Sequence, residues 1–464
     1  MQKGMVATMN NNGKLGLKER FGMALGYAGG VPLFIFISAY LVYFYTNVVG
    51  LDAGIIGTLL LVSKVFDGVS DIFFGNIIDK TRTKLGVCRP WVIRMSFFSL
   101  VGLVVLFAVP PVGDTVKYIF AFISYNVANT IIYTILQLSI ISLPTYMTRD
   151  SEDRSKIYVW ANTGQFIMQF AISSVMFKVV EALGGTQMSW IMAAAGVGVI
   201  GMLLLLVMAY LCKENVDPDE AAAQSGGEAK VPLPTVLKAI IRNQYWWEVL
   251  GFVILGAGVY ATTVTMTPYY SQYILLDTKI ADTLNACYTF PMMIAAPFFL
   301  ILLPHFSKRN IALMGVGVQT LGTILIMLFP TNMMVLYIGA VMKSVGFSAP
   351  TSVYMAMLSD AIEYGQWKTG IRSQAVMMGA NSTGQKIGAG VVSAILGWVL
   401  SANGFDGMLE VQSTAANSAI SNLYMLLPVA LSALMIVILF LYDLDKKYPQ
   451  IMKELEERGK EGAQ

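Results

Sequence analysis

LLLVSKVFDGVSDIFFGNIIDK, residues 59–80, is an apolar run long enough to cross a bilayer, yet it holds Lys64, Asp67 and Asp71. A transmembrane helix needs about 20 mostly apolar residues. An ionisable side chain at its centre costs on the order of 3 kcal/mol unless it faces a cavity or a partner. At i, i+3 and i+7 the three residues share one helix face. Two carboxylates a turn apart behind a cation form a compact anionic site that can recruit Na⁺, Li⁺ or a proton, which reads as a coupling-ion site. Mutual neutralisation of Lys64 and Asp67 is the plainer reading, and it leaves Asp71 unexplained.

The rest of the chain has the same character. Of 464 residues 56% are hydrophobic and 13% charged, against roughly 25% charged in a soluble protein, so a water-soluble globule is excluded. Lys and Arg (31) nearly balance Asp and Glu (28), which leaves no basic surface for nucleic acid. Cys88, Cys212 and Cys287 match no metal-ligand spacing and read as reduced packing residues. The polar first 20 residues lack the pattern of a cleaved signal peptide.

Apolar runs fall near residues 21–46, 54–78, 91–110, 116–143, 157–181 and 187–212, then 246–276, 281–303, 310–329, 332–358, 373–402 and 414–443. The expected fold is an all-α polytopic membrane protein with 12 transmembrane helices in two six-helix bundles, 21–212 and 246–443. An N-tail (1–20), a Pro/Gly/acidic linker (213–245) and a C-tail (444–464) complete the chain. Most Lys and Arg lie in the tails and the even-numbered loops, so both termini and the linker are expected in the cytoplasm of a cell with this protein in its plasma or inner membrane.

Three lysines fall inside spans. Lys386 sits in the Gly-rich NSTGQKIGAG (381–390), where it can act as a counter-charge to the span-two acids. Lys64 is described above, and Lys343 either snorkels or lines a cavity. After span two, the loop with Gly75, Asp79, Arg82 and Arg89 resembles the Gly-x-x-x-Asp-basic loop of the major facilitator superfamily, a resemblance that implies a gating role in holding one face closed. DAIEYGQWKTGIR (360–372) offers Asp360, Glu363 and Arg372 as a second gating cluster.

With AYLVYFYTNVVGL (39–51), TRTKLGVCRPW (81–91), LPTYMTRDSEDRSKI (143–157) and EYGQWKTGIR (363–372), the sequence resembles the glycoside-pentoside-hexuronide:cation symporter family, melibiose permease-like, within the major facilitator superfamily. The resemblance covers almost the whole chain. It implies that Asp67 and Asp71 bind the cation, that Ser70 and Thr134 complete the site with hydroxyl oxygens, and that Lys386 stands close by. The family's sugar-binding acids correspond to Val31 and Gln137, and a sugar-binding arginine to Asn162, so its ionic sugar cage is not reproduced. The cavity is then expected to be lined by Tyr27, Val31, Tyr133, Gln137, Trp160 and Asn162, aromatic faces stacking on sugar rings and amides bonding hydroxyls.

The expected function is symport of a sugar or glycoside coupled to Na⁺ or H⁺ by alternating access; the alternative is transport of a non-sugar organic solute. Ser70 is a poorer Na⁺ ligand than an asparagine carbonyl, which keeps the proton in contention. The only histidine, His305, stands alone, and no phosphate loop or metal-ligand cluster is present, so an enzyme is not expected. The expected partners are a small-molecule solute and the lipid bilayer, with no cofactor beyond the coupling cation; the oligomeric state is left open, a monomer being sufficient.

Overall fold

The computed structural model describes residues 15–216, 233–302, 305–371 and 374–461, and among them the regular secondary structure is helical apart from one isolated bridge between Thr83 and Gly86. Residues 217–232 of the linker, the first 14 residues and Arg372 therefore lie outside the described residues. Among the described residues ten helices are long and apolar enough to cross a membrane, or eleven if the pair broken at Ser174 and Val175, bent by 40°, is one span. The helix in the expected eighth place, Lys279–Leu302, is not among them; it opens with Lys279, Asp282 and Asn285 and contains Pro291 and Pro297.

The described residues separate into two compact units, one of residues 15–44 and 66–216, the other of 45–65 and 233–461. In the first, α1 (Leu17–Ile35) leads through a π-helical turn (Phe36–Tyr40) into α2 (Leu41–Asn47). The long α3 (Ala53–Asp79) crosses from the second unit to the first. Then follow α4 (Arg89–Phe107), α5 (Asp114–Tyr125), a second π-helix (Asn126–Tyr133), α6 (Thr134–Met147), α7 (Ser151–Ser173), α8 (Met176–Ala182) and α9 (Gln187–Leu211).

Lipid tails are as apolar as leucine, so helices in a membrane associate through close packing over small residues. Helix α1 shows this plainly. Gly26 lies under Met208, Gly29 meets Gly201 and Leu205 of α9, and Gly164 of α7 leaves room for the carbonyl of Ala24. Beyond Pro32 an aromatic cluster closes one end: Phe107 stacks on Trp190 at 5.8 Å with 5° between planes, and Phe36, Tyr40, Phe44 and Phe177 pack edgewise around them. Such pairs add about 0.5–1.5 kcal/mol each beyond area burial.

The second unit continues with α10 (Leu233–Ile241), α11 (Gln244–Tyr273), α12 (Lys279–Leu302), α13 (Lys308–Leu328), α14 (Met333–Thr369), α15 (Gln374–Ala402), α16 (Thr414–Leu441) and α17 (Leu444–Glu461). Gly315, Gly322, Gly339 and Gly346 let α13 and α14 meet backbone to backbone. Side-chain caps start several helices: Asn243, Ser307, Asn332 and Ser413 each accept an orphan N–H of the first turn.

Residues 45–65 are held in this unit by side-chain hydrogen bonds. Asn47 donates to Gln272 at 2.8 Å and to the Tyr273 hydroxyl at 2.7 Å, Thr46 pairs with Tyr269 at 2.7 Å, Ser401 donates to Asp52 at 2.7 Å, and Trp398 to Thr58 at 2.8 Å. Gly57 and Gly397 keep α3 and α15 in backbone contact beside them.

Candidate functional site: a carboxylate clasped by a π-helix

Asp67 is 2% exposed in the middle of α3. Both of its carboxylate oxygens accept hydrogen bonds from the π-helix Asn126–Tyr133: Asn129 Nδ2 donates to Oδ2 at 2.6 Å, and the Thr130 hydroxyl donates to Oδ1. A π-helix bonds i to i+5 and is found mostly as a single-turn insert, often at functional sites. Here its register lets two successive residues serve one carboxylate. Thr134 fits the same register, its hydroxyl donating to the Asn129 carbonyl five residues back at 3.4 Å.

Ser70 is buried and donates to the backbone carbonyl of Asp67 at 2.9 Å. Asp71, one turn beyond Asp67, is half-buried. Asp67, Ser70, Asp71 and Thr134 thus lie in the first unit, whereas Lys64 and Lys386 belong to the second. There the stem of Lys64 runs over Gly390, where a Cβ would come within 2.8 Å of it. Among the described residues no group of three or more His, Cys, Asp or Glu could hold a metal ion, so an ion beside Asp67 would draw on hydroxyl and amide oxygens as well.

The expected solute residues divide in two. Tyr27, Gly30 and Phe34 share one face of α1 at i, i+3 and i+7. Tyr133 stacks on Phe34 at 6.0 Å, and Gln137 lies across from Gly30, on the same side of α1 as Tyr27 and Phe34. Val31 is buried at 3% exposure. On α7, Asn162 shares a polar stripe with Tyr158, Gln165 and Gln169 at i, i+4, i+7 and i+11, and the Tyr158 hydroxyl donates to the Ile141 carbonyl of α6 at 3.1 Å. Trp160, two residues from Asn162, is turned roughly 200° about the helix axis and stands exposed near Val159 and Ile167. The structure therefore separates Trp160 from Asn162.

The loop between α3 and α4 is organised by a residue that the sequence does not advertise. Arg82 donates to the Asp79 and Thr81 carbonyls, at 2.5 and 3.1 Å, and Gly75 has open space where a Cβ would stand. Arg89 donates through Nε to the Ala209 carbonyl at 2.9 Å. Glu214, just past α9, accepts the backbone N–H groups of Val87, Cys88 and Arg89 at 2.6, 2.8 and 2.9 Å. Buried beside this carboxylate, the Cys88 thiol has its pKa pushed well up. In the second unit Asp360 pairs with Lys308, and Glu363 accepts from the Tyr448 hydroxyl of α17.

Asn129 and Thr130 escaped the sequence reading although their signal is present: NVANT (126–130) is a polar run inside an apolar span. Glu214 carries no such signal, being one of several acids in a polar linker.

Residues 24–446 match the family described as MFS/sugar transport protein. The chain is 26% identical over 95% of its length to the isoprimeverose transporter of Lactiplantibacillus pentosus, covering 91% of that protein. It is 24% identical over 96% of its length to a Salmonella typhimurium protein named as a candidate 2,3-dihydroxypropane-1-sulfonate exporter, covering 97% of it. Its fold is similar to that of a bacterial homologue of the human drug peptide transporters, with a TM-score of 0.66 at 14% identity over 95% of this chain and 99% of that one. The chain is a membrane transporter, not an enzyme, and belongs to the MFS/sugar transport protein family, among the glycoside-pentoside-hexuronide:cation symporters of the major facilitator superfamily.

Proposed function

We propose that this protein carries out cation-coupled symport of a sugar or glycoside by alternating access, with Asp67 and Asp71 as the coupling carboxylates and Na⁺ or H⁺ as the ion. The observation that carries this reading is Asp67 itself, an acid held at 2% exposure inside an apolar span by two side-chain donors. Such a group is costly in a membrane unless its charge is used. Ser70, Thr134, Lys64 and Lys386 are assigned to the same coupling machinery, and Gly75, Asp79, Arg82, Arg89, Asp360, Glu363 and Arg372 to gating. Tyr27, Tyr133 and Gln137 supply the aromatic face and amide that a sugar ring needs. Both termini are placed in the cytoplasm, a monomer suffices, and no cofactor beyond the ion is required.

Uptake into vesicles under an imposed Na⁺ or pH gradient tests the reading. Asp71→Cys is expected to abolish concentrative uptake while the protein remains in the membrane; if concentrative uptake persists, Asp71 is not the coupling group. The neutral side chains at Val31 and Gln137 favour a second reading, a non-sugar organic solute. A thermal-shift screen of sugars and glycosides against other metabolites, with and without Na⁺, separates the two.

A further inference from the structure

We infer that Asn129 sets the ion selectivity of the Asp67 site, its side-chain amide presenting a carbonyl oxygen to bound Na⁺ or Li⁺ and its NH₂ group to Asp67 when no ion is there. The inference deepens the symport reading above and rests on it.

Asn129 is 7% exposed and donates to Asp67 Oδ2 at 2.6 Å. A half-turn of its terminal amide exchanges nitrogen for oxygen without moving the backbone, because the two ends of the group are nearly the same in shape. The carbonyl end facing a carboxylate is repelled when nothing lies between them; a cation between the two oxygens, which must move apart to admit it, makes the pairing attractive. Hard cations take oxygen ligands. The oxygens at hand are the Asp67 carboxylate, Asp71 one turn on, and the Thr130 hydroxyl, which keeps its lone pairs while donating to Asp67. Ser70 directs its hydroxyl hydrogen to the Asp67 backbone carbonyl. The amide that α3 lacks at position 70 is thus supplied from another helix, and the π-helical register is what brings Asn129 and Thr130 together onto Asp67.

The experiment is thermal stabilisation of the purified full-length protein by Na⁺ or Li⁺, at constant ionic strength with choline as the control. Asn129→Ala should weaken apparent Na⁺ affinity about tenfold or more, and adding Ser70→Asn to Asn129→Ala should restore most of it, an outcome that a purely structural role for Asn129 would not give. Should Asn129→Ala not fold, Asn129→Asp keeps the shape and is expected to tighten Na⁺ binding several-fold; unchanged binding overturns the inference.

Parent-like Na⁺ affinity in Asn129→Ala, alongside its loss in Asp71→Asn, overturns the role of Asn129 and leaves the symport reading standing. A parent that neither Na⁺ nor Li⁺ stabilises, while a pH gradient drives uptake, also overturns it and leaves proton symport. If no gradient drives uptake, the symport reading falls and this inference falls with it.

Discussion

Glu214 holds the backbone of Arg89 at the start of α4, its Oε1 accepting the Arg89 N–H at 2.9 Å. The same carboxylate takes the N–H groups of Val87 and Cys88, so one side chain satisfies two of the donors that the helix start leaves open, those of Cys88 and Arg89, together with that of Val87 before it, and places negative charge at the positive end of the helix dipole. Hydrogen bonds to a charged group contribute about 1.5–3 kcal/mol. Glu214→Ala should therefore lower stability by about 2 kcal/mol, read as a drop in melting temperature in detergent, with Glu214→Gln intermediate. A melting temperature unchanged in Glu214→Ala would show that solvent replaces the cap at no cost.

Gly164 packs with no side chain against the carbonyl of Ala24. Any Cβ there must push α7 away from α1. Overpacking of this kind costs about 1–3 kcal/mol, so Gly164→Ala should lose stability and Gly164→Leu should yield little folded protein. Size-exclusion profiles of the two variants check this, and a normal profile for Gly164→Leu would refute it.

Gln137 and Trp160 make a paired comparison. Gln137 stands across from Gly30 near Tyr133, whereas Trp160 is turned away from the stripe that holds Asn162. Loss of one hydrogen bond between neutral groups costs about 0.5–1.5 kcal/mol. Gln137→Ala should raise the apparent KM for solute roughly 3- to 10-fold, and Trp160→Ala should leave it within about twofold. Equal effects would remove the distinction between the two flanks.

The docking of α17 should depend on pH. Hydrogen bonds from Lys447 and Tyr245 hold the Asp443 carboxyl below the usual range, and those from Trp367 and Gln450 do the same for Glu454. A carboxyl depressed in the folded state stabilises it above its unfolded pKa, about 3.9 for Asp and 4.3 for Glu. That contribution fades as pH falls through the lower folded value. Protease sensitivity of α17 should stay flat from pH 7 to about 5 and rise below about 4; a rise already at pH 6 would exclude these two carboxylates as the cause.

Lys343 is 1% exposed, its Nζ has no hydrogen-bond partner among the described residues, and it stands 4.7 Å from the Tyr424 ring centroid. Replacing a buried, incompletely satisfied ionisable group by an apolar one of like volume is often neutral or stabilising by about 1–4 kcal/mol. Lys343→Met should melt no lower than the parent. A clear fall in melting temperature would show that the contact with Tyr424 outweighs the desolvation.

Much of this was readable in advance. Apolar length and the absence of strand-type alternation specified membrane helices, since a bilayer leaves the backbone no other way to satisfy its hydrogen bonds here. The pattern Lys64, Asp67, Asp71 named the unusual helix because charge inside an apolar run is rare for a physical reason. Residue type alone puts Trp160 beside Asn162 in a solute cavity, whereas two positions along a helix point to nearly opposite sides. The membership of residues 45–65 in the second unit could not be read either, since it depends on hydrogen bonds such as Asn47 to Tyr273 between residues 226 positions apart.

Composition and spacing by themselves determined that this is a multi-span helical protein with acids in its second span, because burial cost and helical period are local properties of the chain. Only the tertiary structure decided what those acids meet. That Asn129 and Thr130 clasp Asp67 follows from a π-helical register and from helix packing that joins residues 62 and 63 positions apart along the chain. Neither of these leaves a periodic trace in sequence.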